Sequence, residues 1–482
     1  MDIKDLKRKS VRGGVVTLVS QGLTIAIQLA STVFLARLLS PYDYGLLAMI
    51  TSVTAFAGLF RDLGLSSAAI QKSDLTDDQQ VKLFWFNIAL GLAITLLVAA
   101  SAPIVSFFFK EPRLTSATIA LSFTFLLGSI GSQSSASLSR SFKFARKSIA
   151  SILGAFVTLV VALTMALNGF EYWSLVWGNL AGAATTTILL CMLSEFRPKI
   201  RIKKTETSSL IRFGAHITAF DLVNYFHRNL DNLLIGRLHG SIELGLYSRA
   251  YSLLLLPLGA IRSPLMSVAY PVMSTLQKEP VLFRSYYRRT TLLLALLGMP
   301  LTAFLFCSSE TVIMLLLGAK WKHVSDIFSV LAITGFVQPT LSLIGLVLMS
   351  LGATKKYLMF GVANAICVSI GFCIGVRFGA MGVAISYAIS IYTTSVPFLI
   401  IFLKGTPVSL GDYVRSIAFP AMAAIIAIIP TYGVSVFLQS SSNLLLVLVK
   451  GVVYFLSFIT VVWLVPNLRA ELKEIPAYFR KN

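Results

Sequence analysis

Stretches of about 20 mostly apolar residues, the length an α-helix needs to cross a bilayer core, succeed one another along almost the whole chain. Fourteen separate at turn or charge signals: residues 15–35, 44–70, 83–108, 114–138, 149–167, 172–193, 210–235, 244–273, 291–307, 324–351, 357–376, 380–403, 414–437 and 444–465. After the ninth, 311–317 reads either as its continuation or as a separate interfacial turn. Such a chain cannot present a water-soluble surface. Only 13% of its 482 residues are charged, against about 25% in soluble domains. The sequence predicts an all-α integral membrane protein with fourteen transmembrane helices.

The net charge of +21 is of the kind that attracts nucleic acid, but the Lys and Arg residues cluster in short links between apolar runs. With the N-terminus inside, alternate links and both tails hold about 28 of them against about 7 in the outer links, the positive-inside asymmetry. The inner clusters include Arg140, Lys143, Arg146 and Lys147, then Arg197, Lys199, Arg201, Lys203 and Lys204, then Arg284, Arg288 and Arg289. Both termini are therefore expected in the cytoplasm, with no nucleic-acid partner. Lys4, Lys7, Arg8, Lys9 and Arg12 precede the first apolar run without a small-residue cleavage site, so that run reads as a retained helix.

Signals of enzymatic chemistry are missing. There is no phosphate-binding glycine loop and no paired carboxylates on an outer loop, and His216, His227, His239 and His323 share no metal-ligand spacing. A transporter is expected, with no metal and no cofactor. Cys191, Cys307, Cys367 and Cys373 lie in or at the ends of apolar runs and read as small buried residues. Trp85, Trp321 and Trp463 read as interfacial anchors. Trp173 and Trp177, four apart, are either anchors or a sugar-stacking surface. Gly178 with Gly182, and Gly371 with Gly375, have the spacing of tight helix contacts.

Residues 34–46 repeat without a gap at 234–246. Arg37 falls on Arg237, Leu38 on Leu238, Asp43 on Glu243, Gly45 on Gly245 and Leu46 on Leu246. Ser67 then meets Ser267 and Ala69 meets Ala269; later the offset drifts by about ten, with Gly169 against Gly379. Six helices per copy is an even number, so the copies share one orientation and an axis along the membrane normal. The expected organisation is an N-terminal lobe at 1–205, a C-terminal lobe at 206–405, and two further helices with a cytoplasmic tail at 406–482.

The second copy opens on a stretch that lipid-spanning helices normally avoid. Asp221, Asn224, Arg228, Asp231 and Asn232 recur at spacings of three and four, which places them along one helix face. His227 stands four before Asp231, and Arg249 and Arg262 follow in the next helix among Pro257, Pro264 and Pro271. Intramembrane charges face a protein interior or a wet cavity. They either lock helices together or bind a solute. The first helix has a milder stripe of Gln21, Thr24, Gln28 and Ser31. Arg61 and Asp62 end the second. Several arginines with few spare acids favour an anion, because guanidinium offers forked donors and stays charged.

Residues 20–72, with Phe-Leu-Ala-Arg-Leu-Leu-Ser-Pro-Tyr-Asp-Tyr-Gly-Leu at 34–46, resemble the opening of bacterial polysaccharide transporters, the Wzx-type oligosaccharide flippases. The series Asn-Leu-Asp-Asn-Leu-Leu-Ile-Gly at 229–236, Leu-Tyr-Ser-Arg-Ala-Tyr at 246–251 and Pro-Leu-Gly-Ala-Ile-Arg-Ser-Pro at 257–264 resembles the colanic-acid-exporter branch. The resemblance implies membership of the multidrug/oligosaccharidyl-lipid/polysaccharide exporter superfamily. It implies two six-helix lobes in a MATE-like V around a central cavity, working by alternating access. The implied substrate is a polyprenyl-diphosphate-linked oligosaccharide for exopolysaccharide, capsule or O-antigen synthesis, with a polysaccharide polymerase and chain-length regulator as partners.

By placement, Arg61, Arg228, Arg249 and Arg262 are candidates for the diphosphate, and Gln28 and Asn224 for the sugars. Asp221, Asp231 and His227 are candidates for coupling to a proton or sodium gradient. A drug or metabolite antiporter of the same fold is the alternative, and an integral-membrane polymerase or glycosyltransferase a lesser one. Multidrug relatives often carry a carboxylate in the first helix; this chain has none between residues 15 and 35.

Overall fold

The computed structural model describes residues 3–61, 76–199, 208–437 and 442–464, with side chains at 16–61, 76–199, 229–434 and 442–464. Every regular element among them is helical. In order they are α1 (Ile3–Leu38), α2 (Pro41–Phe60), α3 (Asp77–Phe109), α4 (Leu114–Arg140), α5 (Phe144–Leu167), α6 (Trp173–Leu193), α7 (Ser208–Thr275), α8 (Pro280–Cys307), α9 (Ser309–Leu316), α10 (Val324–Leu341), α11 (Leu343–Ser350), α12 (Thr354–Gly375), α13 (Gly379–Leu403), α14 (Leu410–Ile426), α15 (Ile428–Phe437) and α16 (Asn443–Leu464).

Twelve stretches of the described residues are long and apolar enough to cross a membrane. Two of them, Asn229–Thr275 and Thr354–Leu403, run to 47 and 50 residues. At 1.5 Å per residue each would be about 70 Å long, more than twice a bilayer core. Both are interrupted. Gly240 inside α7 has φ 84° and ψ −172°, a conformation open to a residue without Cβ. A 3₁₀ turn at Val376–Phe378 precedes Gly379, at φ 74°. The link expected at 236–243 thus contracts to a single non-helical residue. Residues 309–316 form the separate helix α9, not a continuation of α8, because the backbone at Ser308 leaves helical geometry.

The chain forms two compact units, Met1–Gly245 and Leu246–Asn482. In the first, α3 packs on α4, α5 on α6, α1 on α5, and α2 on both α3 and α4. In the second, α8 packs on α10 and α14, α12 on α13, and α16 on α14 and α15. Small residues set the closest approaches, as expected from their spacing. A Cβ on Gly182 would lie 1.8 Å from Thr158 Oγ1, and one on Gly375 2.2 Å from Ser386 Oγ.

Helix starts follow local chemistry. Ser40 with Asp43, Thr76 with Gln79, and Ser409 with Asp412 form reciprocal capping boxes at α2, α3 and α14. Asp412 is fully buried and accepts from Arg284 Nε at 2.7 Å, tying the start of α14 to α8. Two expectations about single residues fail. Trp321 is completely buried beneath the 308–323 connection, so it is a core residue there and not an interfacial anchor. None of the four cysteines is fully buried: Cys191, Cys307 and Cys367 are partly buried and Cys373 is exposed.

Candidate functional site

The repeated motif meets itself. Gly45, near the start of α2, lies so close to the helical residues after Gly240 that a Cβ there would be 1.8 Å from the Ser241 carbonyl oxygen. Reciprocally, a Cβ on Gly245 would be 1.9 Å from the Pro41 carbonyl oxygen. Only glycine allows two backbones this close. The motif's other members hold the approach in place. Asp43 is buried and accepts from Ser40 N–H at 2.8 Å, while Leu46 is fully buried. The Arg237 guanidinium lies over the Phe108 ring, 5.6 Å from its centroid.

Arg249 stands four residues after Gly245, so it shares that helix face one turn further along. Its partly buried side chain has a fully shielded Nε. The first copy has Met49 at the same offset, almost wholly buried. The duplication has therefore put a permanent cation where its other copy keeps a thioether. Beside Arg249 in the sequence, Tyr247 stacks on Tyr251 with centroids 6.0 Å apart and planes within 7°. Tyr251 meets the edge of Tyr387 at 6.4 Å, and the Tyr387 hydroxyl accepts from Gln338 Nε2 at 3.2 Å. This aromatic and amide group on α7, α10 and α13 was not foreseen from the sequence. Its signal was the pair of tyrosines four apart.

The other predicted site residues are more scattered. Arg262 is exposed, 13 residues beyond Arg249, or about 20 Å along a helix axis. The two cannot clasp one phosphate together from this helix. Arg61 ends α2, with its guanidinium against Gly128 of α4 and its carbonyl accepting from Ser129 Oγ at 3.4 Å. Gln28 is exposed on α1. Asp231 is buried, and one carboxylate oxygen accepts from Asn232 N–H at 2.8 Å. Asp221, Asn224, His227 and Arg228 fall in α7, but their side chains lie outside the described residues, as does Asp62.

Buried polar groups also occur outside the stretches that the sequence marks. Asn87 and Gln133 are fully enclosed between α3 and neighbouring α4, with Asn87 Nδ2 donating to Ser132 Oγ at 2.9 Å. Lys450, in the apolar α16, is 5% exposed. A lone lysine inside a predicted span was its visible signal.

A family model described as polysaccharide biosynthesis protein matches residues 34–326, more than half of the chain. The lipopolysaccharide biosynthesis protein WzxC of Escherichia coli (strain K12) is 22% identical over 445 residues, covering 90% of this chain and 89% of its own. The teichuronic acid biosynthesis protein TuaB of Bacillus subtilis (strain 168) is 26% identical, with 89% and 90% covered. Among solved structures, the lipid II flippase MurJ in an inward closed conformation matches with a TM-score of 0.75 at 14% identity, over 94% of this chain and 98% of its own. An inward-facing multidrug MATE transporter of the MOP superfamily matches at 0.65 and 13% identity, over 83% and 95%. At these identities the structural likeness speaks for the fold.

Proposed function

Because the chain belongs to the polysaccharide biosynthesis protein family, we propose that it is a flippase that carries polyprenyl-diphosphate-linked oligosaccharides across the membrane for assembly into a cell-surface polysaccharide. Relatives named for lipopolysaccharide and teichuronic acid biosynthesis, and a fold matching a lipid II flippase, support this substrate class. Within it, the twelve candidate spans become fourteen when the two long ones divide at Gly240 and at 376–379. The lobes are then 1–205 and 206–405, followed by 406–482, in an inner membrane with both termini cytoplasmic. A polymerase and a chain-length regulator take over the product.

The observation that carries the mechanism is Arg249, one turn beneath the Gly45–Gly245 contact. A permanent cation in a lipid-spanning helix marks a substrate path, and its forked donors suit an anionic headgroup. In the proposed cycle the diphosphate travels to Arg249 while the backbone contact seals the outer end. Arg228 and Arg262 serve the same anion at other depths, and Arg61 guides it at the inner end. Tyr251, Tyr387 and Gln338 join Gln28 and Asn224 in contacting sugars, since rings and hydroxyls suit a sugar's apolar and polar faces. The polyprenyl tail stays in lipid, because drawing it through a polar path would cost about 0.8 kcal/mol per CH₂. Separation of the paired glycines then opens the outer side. Asp231, with Asp221 and His227, takes the coupling proton or sodium ion.

Residues 16–38 of α1 hold no carboxylate, which disfavours cation extrusion. Depleting the protein from its own cell should stop polymer export and leave lipid-linked oligosaccharide on the cytoplasmic leaflet. Undiminished polymer would overturn the assignment.

A further inference from the structure

Lys450 lies in the second unit on a helix outside the duplication, and the proposed transport path does not use it. Its side chain is 95% buried, and its Nζ donates to Thr311 Oγ1 at 3.2 Å. No carboxylate lies within ion-pair distance of it among the described residues. Glu310 is nearby, but it is exposed and turned to Lys322 at 3.4 Å. The Cys307 thiol is also nearby and is directed to the Phe304 carbonyl at 3.4 Å, with Ser308 Oγ at 3.7 Å. An ammonium withdrawn from water without a counter-charge costs several kcal/mol. Thr311 accepts one of its three protons, and no acceptor for the other two occurs among the described residues.

The groups that surround it are donors as well. Thr311 is the third residue of the eight-residue helix α9, whose first amides have no partner within the helix. Ser308 precedes that helix without capping it, and its hydroxyl is almost wholly buried. Lysine ammonium, threonine hydroxyl and a helix N-terminus thus converge, while the acid of that first turn, Glu310, is exposed and turned to Lys322. All three favour an anion.

We propose that Lys450, Thr311 and the N-terminus of α9 form a binding site for a small monovalent anion, chloride in the cell. The enclosure sets the size, because Lys450, Thr311 and Ser308 are each less than a tenth exposed and leave no approach for a phosphate ester. The ion supplies the missing charge and joins α9 to α16. Because it neither touches Arg249 nor needs a lipid substrate, it stands apart from the flippase reading.

Bromide is the probe. Crystals of the full chain grown in sodium bromide should show an anomalous peak within hydrogen-bonding distance of Lys450 Nζ, absent in Lys450→Met. In detergent, replacing chloride by gluconate should lower the Tm of the wild type, and bromide should restore it. Thr311→Val keeps the cation and should weaken half-saturation by bromide about tenfold, the worth of one charge-assisted hydrogen bond. It serves if Lys450→Met does not fold. A water-only density at Lys450, a peak that survives the Lys450→Met change, or a Tm indifferent to halide would each overturn the site.

Discussion

Gly245 would carry a Cβ only 3.1 Å from the backbone nitrogen of Gly45. The two copies of the repeat therefore touch through the very residues that the 200-residue offset pairs. Backbone cannot retreat as a flexible side chain can, so an added methyl must move the chains apart. Overpacking of this sort costs about 1–3 kcal/mol.

Gly45→Ala should accordingly weaken the contact. With the native cysteines removed, a cysteine at Ser248, just beyond it, should react at least about tenfold faster with an impermeant thiol reagent added from outside. Unchanged labelling would show that the contact does not govern access.

Arg249→Met gives the second copy what the first has at Met49. The protein should stay folded, because methionine already fills the matching, almost wholly buried position of the first copy. Transfer of a diphosphate-linked sugar lipid should fall by about tenfold or more, the worth of a charge-assisted contact. A thermal melt and a transport assay on one preparation separate these outcomes.

Asp412→Ala removes both the cap of α14 and the partner of Arg284. Arg284 is half exposed and can rehydrate, so the loss should be about 1–2 kcal/mol, less than for a fully buried pair. Asp412→Asn keeps part of the cap and should lose less. Thermal unfolding of the two variants gives the order.

Glu195 follows α6 and pairs with Lys143 through a hydrogen bond, with Arg146 at 3.7 Å. The hydrogen bond and charge of Lys143 hold its carboxyl below the ordinary carboxylate value. A depressed value means that the tie is complete above the unfolded value and is lost as pH falls through the folded one. The protection factor of the amides at 194–199, with the intrinsic pH dependence of exchange divided out, should therefore be flat through neutral pH and fall only in acid, and Glu195→Gln should remove that fall.

Hydrophobic run length made the helices legible, because lipid leaves the backbone no other way to satisfy its hydrogen bonds. The repeat was equally plain, and its glycines mark where the backbones meet. That they meet each other was not readable, since spacing along a chain says nothing about what faces it. Gly240 was hidden for a similar reason: one residue at positive φ breaks a helix as well as an eight-residue link does. Trp321 misled because composition cannot tell a buried connection from a membrane surface. Lys450 was overlooked among apolar neighbours, whereas Arg249 drew notice from the prolines and charges around it.

Leaflet transfer in proteoliposomes holding a polyprenyl-diphosphate oligosaccharide tests the cationic path most directly. Wild-type protein should move it faster than protein-free vesicles, and replacing Arg228, Arg249 and Arg262 together should return the rate to the protein-free level. Transfer that survives the triple replacement would contradict the cationic path, and wild-type protein that moves no such lipid would contradict the function itself.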